Sequence, residues 1–367
     1  MRTLKALLVN DASLAGHHGS ALVTSRIVEL AAQANIDVVA RWTWRAVEAA
    51  LEAESIPFDL VIVNGEGSIH HDSKAARRIV KVAECLHDMR VPAYLINASE
   101  EANSPELLQG LSYFRACFVR DSASRERLVS AGVFAETVPD LALTGRDAEL
   151  ARGDGPLLVT DSSEEAKTAR LIDIAHHWPS ARMVSFRAPP PWPAKGSPFR
   201  RVGFEAKRLV ARVAPQTPWA VRYATAQRTR TDMTSLIATA SGMICGRYHA
   251  VCFALRARLP FLAIEGNIGK VTALLADIGL SERCISIDSL SANAPPAIPR
   301  FSAAEDIAIN TFLERALKSA ASMFDQIGVD ARAYARQTRL MPVFDAASGQ
   351  AACAAAPSMP GASHLGG

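Results

Sequence analysis

No apolar run in this chain approaches the ~20 residues that a bilayer-crossing helix needs, so any membrane association is expected to be peripheral. The six cysteines (Cys85, Cys117, Cys245, Cys252, Cys284 and Cys353) share no CxxC spacing, which excludes a zinc ribbon or a dithiol redox motif. Most lie in apolar segments, where cysteine behaves as a small buried hydrophobe, and the expected setting is a reducing cytoplasm. Charge of one sign is also scarce. A formal net charge of +3 over 367 residues excludes nucleic-acid binding driven by bulk charge. No basic leader and apolar core open the chain; Met1–Val9 ends in Asn10-Asp11 and reads as a first strand. No sequence repeat is visible.

What is present is the composition of a globular protein, 49% apolar and 21% charged, and the length favours two domains over one core. Residues 1–150 alternate short apolar runs with amphipathic ones. Strands are expected at Lys5–Val9, Asp37–Arg41, Leu60–Val63, Ala93–Ile96, Ala116–Val119 and Glu136–Val138. Helices are expected at Ser20–Asn35, Ala46–Glu54, Ser73–Met89, Pro105–Ser112 and Ser122–Ala131. Such alternation builds βαβ units and a parallel sheet covered on both faces. Ala148–Gly155 reads as a linker, and a second alternating series fills 155–300: strands at Leu157–Thr160, Arg182–Phe186, Gly242–Gly246 and Leu259–Glu265, with a helix at Glu164–His177. The proline-rich Ala188–Pro198 is excluded from regular structure, and the basic stretch Phe199–Arg212 is assigned no element. Thr231 is expected to cap a helix that runs to Ser241. Ser302 and Glu305 form a capping-box pattern for a helical segment over 302–340, with Gly328 fitting a stop, and 346–367 reads as a disordered tail. The expected fold class is α/β, two Rossmann-like doubly wound domains facing a cleft, with ligands outside the carboxyl ends of the strands.

Chemistry concentrates at Arg247-Tyr248-His249-Ala250, where a strand hands over to a helix. A helix N-terminus favours an anion, arginine adds a planar fork, and histidine titrates near neutral pH. The same residues would also serve as an arginine paired with a carboxylate and a histidine satisfied by a carbonyl; spacing alone does not separate the two. Lys270 opens the next helix after Gly266-Asn-Ile-Gly269, where a cation opposes the dipole, which suggests an anion beside it. A solvated surface lysine is the alternative. Val63-Asn-Gly-Glu-Gly67 carries only GxG, so a dinucleotide fingerprint is not supported. His70, His71 and Asp72 are adjacent and diverge on regular backbone, a poor metal site. Glu66, His70 and His71 are candidates to bind or deprotonate a sugar hydroxyl, with plain loop packing as the alternative. Arg120 ends a strand, while Asp121 or Ser122 reads as a helix cap. Gly16-His17-His18-Gly19 has the position of a ligand loop but little specificity.

The order of these motifs resembles the polysaccharide pyruvyltransferase family: Val63–Gly67, Val119-Arg-Asp-Ser-Ala-Ser124, Val138-Pro-Asp140, Gly246-Arg-Tyr-His-Ala250, then Leu259-Pro-Phe, Gly269-Lys270 and Ile278-Gly-Leu280. The resemblance covers roughly residues 1–285 and is most specific in its last block. It implies a GT-B-like enzyme that moves the pyruvyl group of phosphoenolpyruvate onto a sugar as a ketal, in the assembly of a cell-surface polysaccharide or its lipid-linked precursor. By similarity Arg120, Arg247 and Lys270 would hold the donor and His249 would be the general acid, with no metal and no cofactor beyond the donor substrate. The partners implied are phosphoenolpyruvate and a saccharide acceptor, with no nucleic acid, at a cytoplasmic location that includes the inner face of the membrane. Two positions depart from the family pattern: Asn64-Gly-Glu-Gly67 replaces a run of glycines, and Gly19-Ser20 stands where many members have Gly-Asp. A nucleotide-sugar glycosyltransferase of the same architecture and a non-catalytic carbohydrate-binding member are the competing readings.

Overall fold

The computed structural model describes residues 2–53, 56–67, 69–145, 150, 153–188, 198–213, 217–227, 229–266 and 269–340. The 346–367 tail, most of the Ala148–Gly155 linker and most of the proline-rich segment therefore lie outside the described residues. The fold is α/β with two parallel sheets. The first takes β1 (Leu4–Val9), β2 (Ile36–Trp42), β3 (Leu60–Asn64), β4 (Ala93–Ala98), β5 (Ala116–Val119) and β6 (Ala135–Thr137), in the order β2-β1-β3-β4-β5-β6. The second takes β7 (Leu157–Thr160), β8 (Ala181–Val184), β9 (Gly242–Cys245), β10 (Phe261–Ile264) and β11 (Cys284–Ile285), in the order β8-β7-β9-β10-β11. Every pairing in both sheets is parallel.

Burial explains the sequence pattern. β3, β4 and β5 are buried at every position, as strands covered on both faces must be, whereas β2, at an edge, alternates. Ser73, Ser104 and Asp121 each accept a hydrogen bond from the N–H three residues on and so start helices Lys74–Asp88, Pro105–Gly110 and Ser122–Ser130. Strand order reverses between β1 and β3 in one sheet and between β7 and β9 in the other. Crevices at such reversals receive ligands. Both are used here.

One apolar cluster joins the halves, taking in Leu22, Val23 and Ile27 of helix His18–Gln33, most of helix Tyr248–Ala257, and Phe312, Phe324 and Ile327 of the last helix. That helix, Ala303–Leu340, starts with the expected capping box, Ser302 N–H donating to Glu305 (2.8 Å) and Glu305 N–H to Ser302 (3.3 Å). It does not stop at Gly328. A side chain there would meet Arg332 at 2.8 Å and the Ala34 carbonyl at 3.3 Å, so the glycine is a packing gap where the helix crosses the end of His18–Gln33. Asp330, two residues on, accepts from the Tyr94 hydroxyl (2.6 Å) and from Arg115 (2.6 Å), tying the helix to the first sheet.

Three other expectations shift. The helix expected from Thr231 spans Arg230–Thr239, with Thr229 and Asp232 in a reciprocal cap. The basic stretch Phe199–Arg212 lies within a helix, Pro198–Val213, followed by a short one, Pro218–Ala224. And the first helix begins at His18 rather than Ser20, which brings Gly19 into its first turn. Among the described residues no helix is long and apolar enough to cross a membrane.

Candidate active site

The site is built on the second sheet's reversal. Gly246 follows β9 and packs on the chain leaving β7; a Cβ on it would sit 2.7 Å from the Asp161 carbonyl, so the close approach needs glycine. Its N–H donates to Thr160 Oγ1 (2.8 Å). Arg247 then occupies the N-cap of helix Tyr248–Ala257 in extended geometry, without a side-chain cap bond. Its Nη2 pairs with Asp161 Oδ2 at 2.7 Å, and Asp161 is fixed by the Phe186 N–H (2.8 Å). The Nε of Arg247 is buried without a hydrogen-bond partner.

Two more cations converge from different elements. Arg120, at the end of β5, is 2% exposed; its Nη1 binds Asp140 Oδ2 (2.8 Å) and its Nε binds Ser99 (3.1 Å), while Nη2 is buried without a partner. Its guanidinium lies over the Tyr248 ring, 4.7 Å from the centroid, and the Lys270 ammonium lies 5.9 Å from the same ring. Burial pushes Lys270 down to about 8; Arg120 and Arg247 push the same way, and Glu66 and Asp140 oppose them. An anion does sit at this helix start, and it is the protein's own: Glu101 Oε2 accepts from the Gly269 N–H at 2.6 Å. Burial alone would raise the Asp140 carboxyl, but His249 and Arg120 more than reverse this and hold it below the usual carboxylate range.

His249 stands where the two halves meet. Its side chain is buried, and Nε2 has no hydrogen bond among the described residues. Glu66 Oε1 lies 3.7 Å and Asp140 Oδ2 3.8 Å from that nitrogen, so a proton on it faces two carboxylates. His17 is 5.2 Å away between ring centroids; burial, then His249 and Arg247, keep it well below the ordinary imidazole value. The ring of His249 rests on Gly19, and a Cβ at Gly19 would fall inside it. Gly19→Ala is therefore expected to lower kcat/KM by about 100-fold or more, the scale of a 1 Å misplacement of a catalytic group. Steady-state kinetics beside a melting curve test this; a variant that stays folded and runs at the wild-type rate contradicts it.

The structure thus brings Arg120, Arg247, Lys270, His249 and Glu66 into one cavity of about 120 Å³, with His17 and Tyr248 also on its wall. His70 does not line it. It sits on the two-residue ladder Ile69–His70/Glu100–Glu101, where burial, His71 and Lys270 lower its pKa. His71 is exposed with φ 50°, outside the cavity. The sequence reading passed over Asp161, which directly follows β7 as Arg120 follows β5, and Gly19, whose loop it noted without a role. It quoted Asp140 without a partner. The two departures from the family pattern meet each other: the Ser20 hydroxyl donates to Glu66 Oε1 at 2.6 Å.

Several solved structures align with this chain. The chain aligns with Anabaena Alr3699/HepE in complex with UDP-glucose at 14% identity over 92% of this chain and 100% of that one (TM-score 0.42). An alpha-glucosyltransferase in complex with UDP aligns at 8% identity over 91% and 96% (TM-score 0.41). A mutant Thermobaculum terrenum O-GlcNAc transferase aligns at 13% over 92% and 67% (TM-score 0.38). No curated protein matches the chain. The family model for polysaccharide pyruvyl transferase matches residues 18–267, a span that takes in Arg120, Asp140, Arg247 and His249, and the chain belongs to that family.

Proposed function

We propose that this pyruvyl transferase takes phosphoenolpyruvate as donor and joins its pyruvyl carbon to two hydroxyls of a saccharide as a ketal. One observation carries the donor assignment: among the described residues Arg120 Nη2 and Arg247 Nε are buried donors without partners, beside the Lys270 ammonium, on a cavity of about 120 Å³. Three cations converging on one small cavity suit a small anion that carries both a carboxylate and a phosphate. Arginine forks match both groups in planar geometry.

In the proposed reaction His249 delivers its proton to the methylene carbon, turning it into a methyl group and leaving the adjacent carbon electron-poor. A sugar hydroxyl attacks that carbon and gives up its proton, with Glu66 placed to receive it. The C–O bond to phosphate then breaks, and the cations stabilise the leaving oxygens. A second hydroxyl then attacks the same carbon and closes the ketal, its proton passing to the now neutral His249, and inorganic phosphate departs. Phosphate release from phosphoenolpyruvate that depends on an added saccharide tests the whole scheme. A thermal shift caused by phosphoenolpyruvate and not by equal concentrations of UDP-, GDP- and CMP-sugars tests the donor.

Lys270 gives the donor site a pH signature. Its ammonium is complete well below pH 8 and is lost as pH rises through about 8. Donor affinity is expected to weaken about tenfold between pH 7 and 9, about the worth of one charge-assisted hydrogen bond. Lys270→Arg, charged throughout that range, is expected to flatten the loss. Calorimetric titration of both proteins decides it, and a wild-type affinity constant from pH 7 to 9 rejects the role.

A further inference from the structure

Helix Pro198–Val213 inverts the usual logic of a surface helix. At 100° per residue Val202, Ala206, Leu209 and Val213 form one stripe with Val210 at its edge. In a core-packing helix such a stripe faces inward. Here it faces out: Val202 is 68%, Leu209 63%, Val213 76% and Val210 44% exposed. The opposite side meets the protein through Ala211, fully buried, and Phe204, whose ring lies 5.8 Å from Tyr223. Tyr223 belongs to helix Pro218–Ala224, and Trp219 of that helix, 5.9 Å from Tyr223, is 41% exposed.

The charge of this segment says what covers it. Arg200, Arg201, Lys207, Arg208 and Arg212 stand against one acid, Glu205, a balance of +4 within sixteen residues. The whole chain carries only +3, so the rest of the molecule is at −1 and the excess is concentrated on this helix. A long apolar stripe turned to solvent on a strongly cationic helix is the pattern of a helix that lies in the plane of a bilayer. We infer that helix Pro198–Val213 docks this enzyme on an anionic membrane surface, its apolar stripe among the acyl chains and its net positive charge drawn to the lipid headgroups.

The position links docking to the site. Arg222, one residue before Tyr223, donates to the Ala188 carbonyl (2.8 Å). Ala188 N–H in turn donates to Gly16 O (2.6 Å), in the loop that leads to His17 and Gly19. One short helix therefore separates the bilayer surface from the loop that seats His249.

Co-sedimentation of the full chain with vesicles tests the inference. Wild type is expected to pellet with phosphatidylcholine vesicles containing about a third phosphatidylglycerol, to bind pure phosphatidylcholine at least about tenfold more weakly, and to be released by high salt. The triple variant Val202→Ser/Leu209→Ser/Val213→Ser is expected to lose at least about tenfold in partitioning, because three exposed apolar side chains no longer enter the bilayer. It should keep the wild-type melting temperature and its turnover on a water-soluble saccharide. Wild type left in the supernatant with anionic vesicles, or a serine variant that binds them equally, overturns the proposal. So does a wild-type dimer in light scattering that ignores vesicles and that the serine variant dissolves, since the stripe would then be an interface between two copies.

Discussion

Replacing His249 with glutamine is expected to lower kcat by about 10² to 10⁴-fold, the range carried by a positioned proton donor, while donor affinity changes less than about threefold. The split follows from the geometry. The cations proposed to face the donor are Arg120, Arg247 and Lys270, held by Asp140, Asp161 and the Tyr248 ring, and among the described residues none of them hydrogen-bonds the His249 imidazole. Its Nε2 is committed to no partner among the described residues, so glutamine at this position removes a proton source and leaves the anion site assembled. Single-turnover phosphate release and calorimetric titration with phosphoenolpyruvate separate the two effects. A near-normal rate rules out the mechanism; a lost affinity moves His249 into the binding set.

Much of this was legible in the sequence, for a physical reason. Buried parallel strands are nearly continuous apolar runs bounded by turns, so β3, β4, β5, β9 and β10 announce themselves, and residues just past such runs fall at the ligand-binding edge by topology alone. That is how Arg247, His249 and Lys270 could be expected together before any distance was known, whereas Arg120, on the other sheet, joined them only through the family resemblance. The pairing partners were harder to find. Asp140 meets Arg120 across 20 residues and Asp161 meets Arg247 across 86, and no local periodicity encodes such a contact.

Sequence pattern and structure part at two elements for one reason. Gly328 looks like a stop because glycine weakens a helix, yet its real constraint is a crossing with Ala34, a residue 294 positions away. The segment Phe199–Arg212 has a helical stripe, but its apolar face meets solvent, so a rule that equates stripes with cores has nothing to attach it to. His70 and His71 suggest chemistry by residue type. Their backbone, a two-residue ladder and a left-handed turn, carries them past the cavity that Glu66 enters.

Asp140→Ala is expected to be the most destabilising single change at the site, at about 3–5 kcal/mol, because it leaves the Arg120 guanidinium buried and uncompensated. Arg120 is 2% exposed and Asp140 0%, and the carboxylate also accepts from the Ala142 N–H (2.8 Å), so three roles go at once: partner of Arg120, cap of the Leu141–Thr144 turn, and neighbour of His249 Nε2. The pH dependence has a definite sign. The Asp140 pKa is depressed in the folded protein, so the pair's contribution is complete above the usual carboxylate range and is lost as pH falls below it. Denaturant melts of wild type from pH 7 to 3 should therefore lose stability, and Asp140→Ala should lose less over the same interval. A second variant separates structure from function. Replacing both partners, Arg120→Met with Asp140→Leu, removes the two buried charges together and is expected to recover most of the stability. It is not expected to recover the reaction, since one of the donor cations is gone. Recovery of both would make Arg120 a structural ion pair and leave the donor to Arg247 and Lys270 alone.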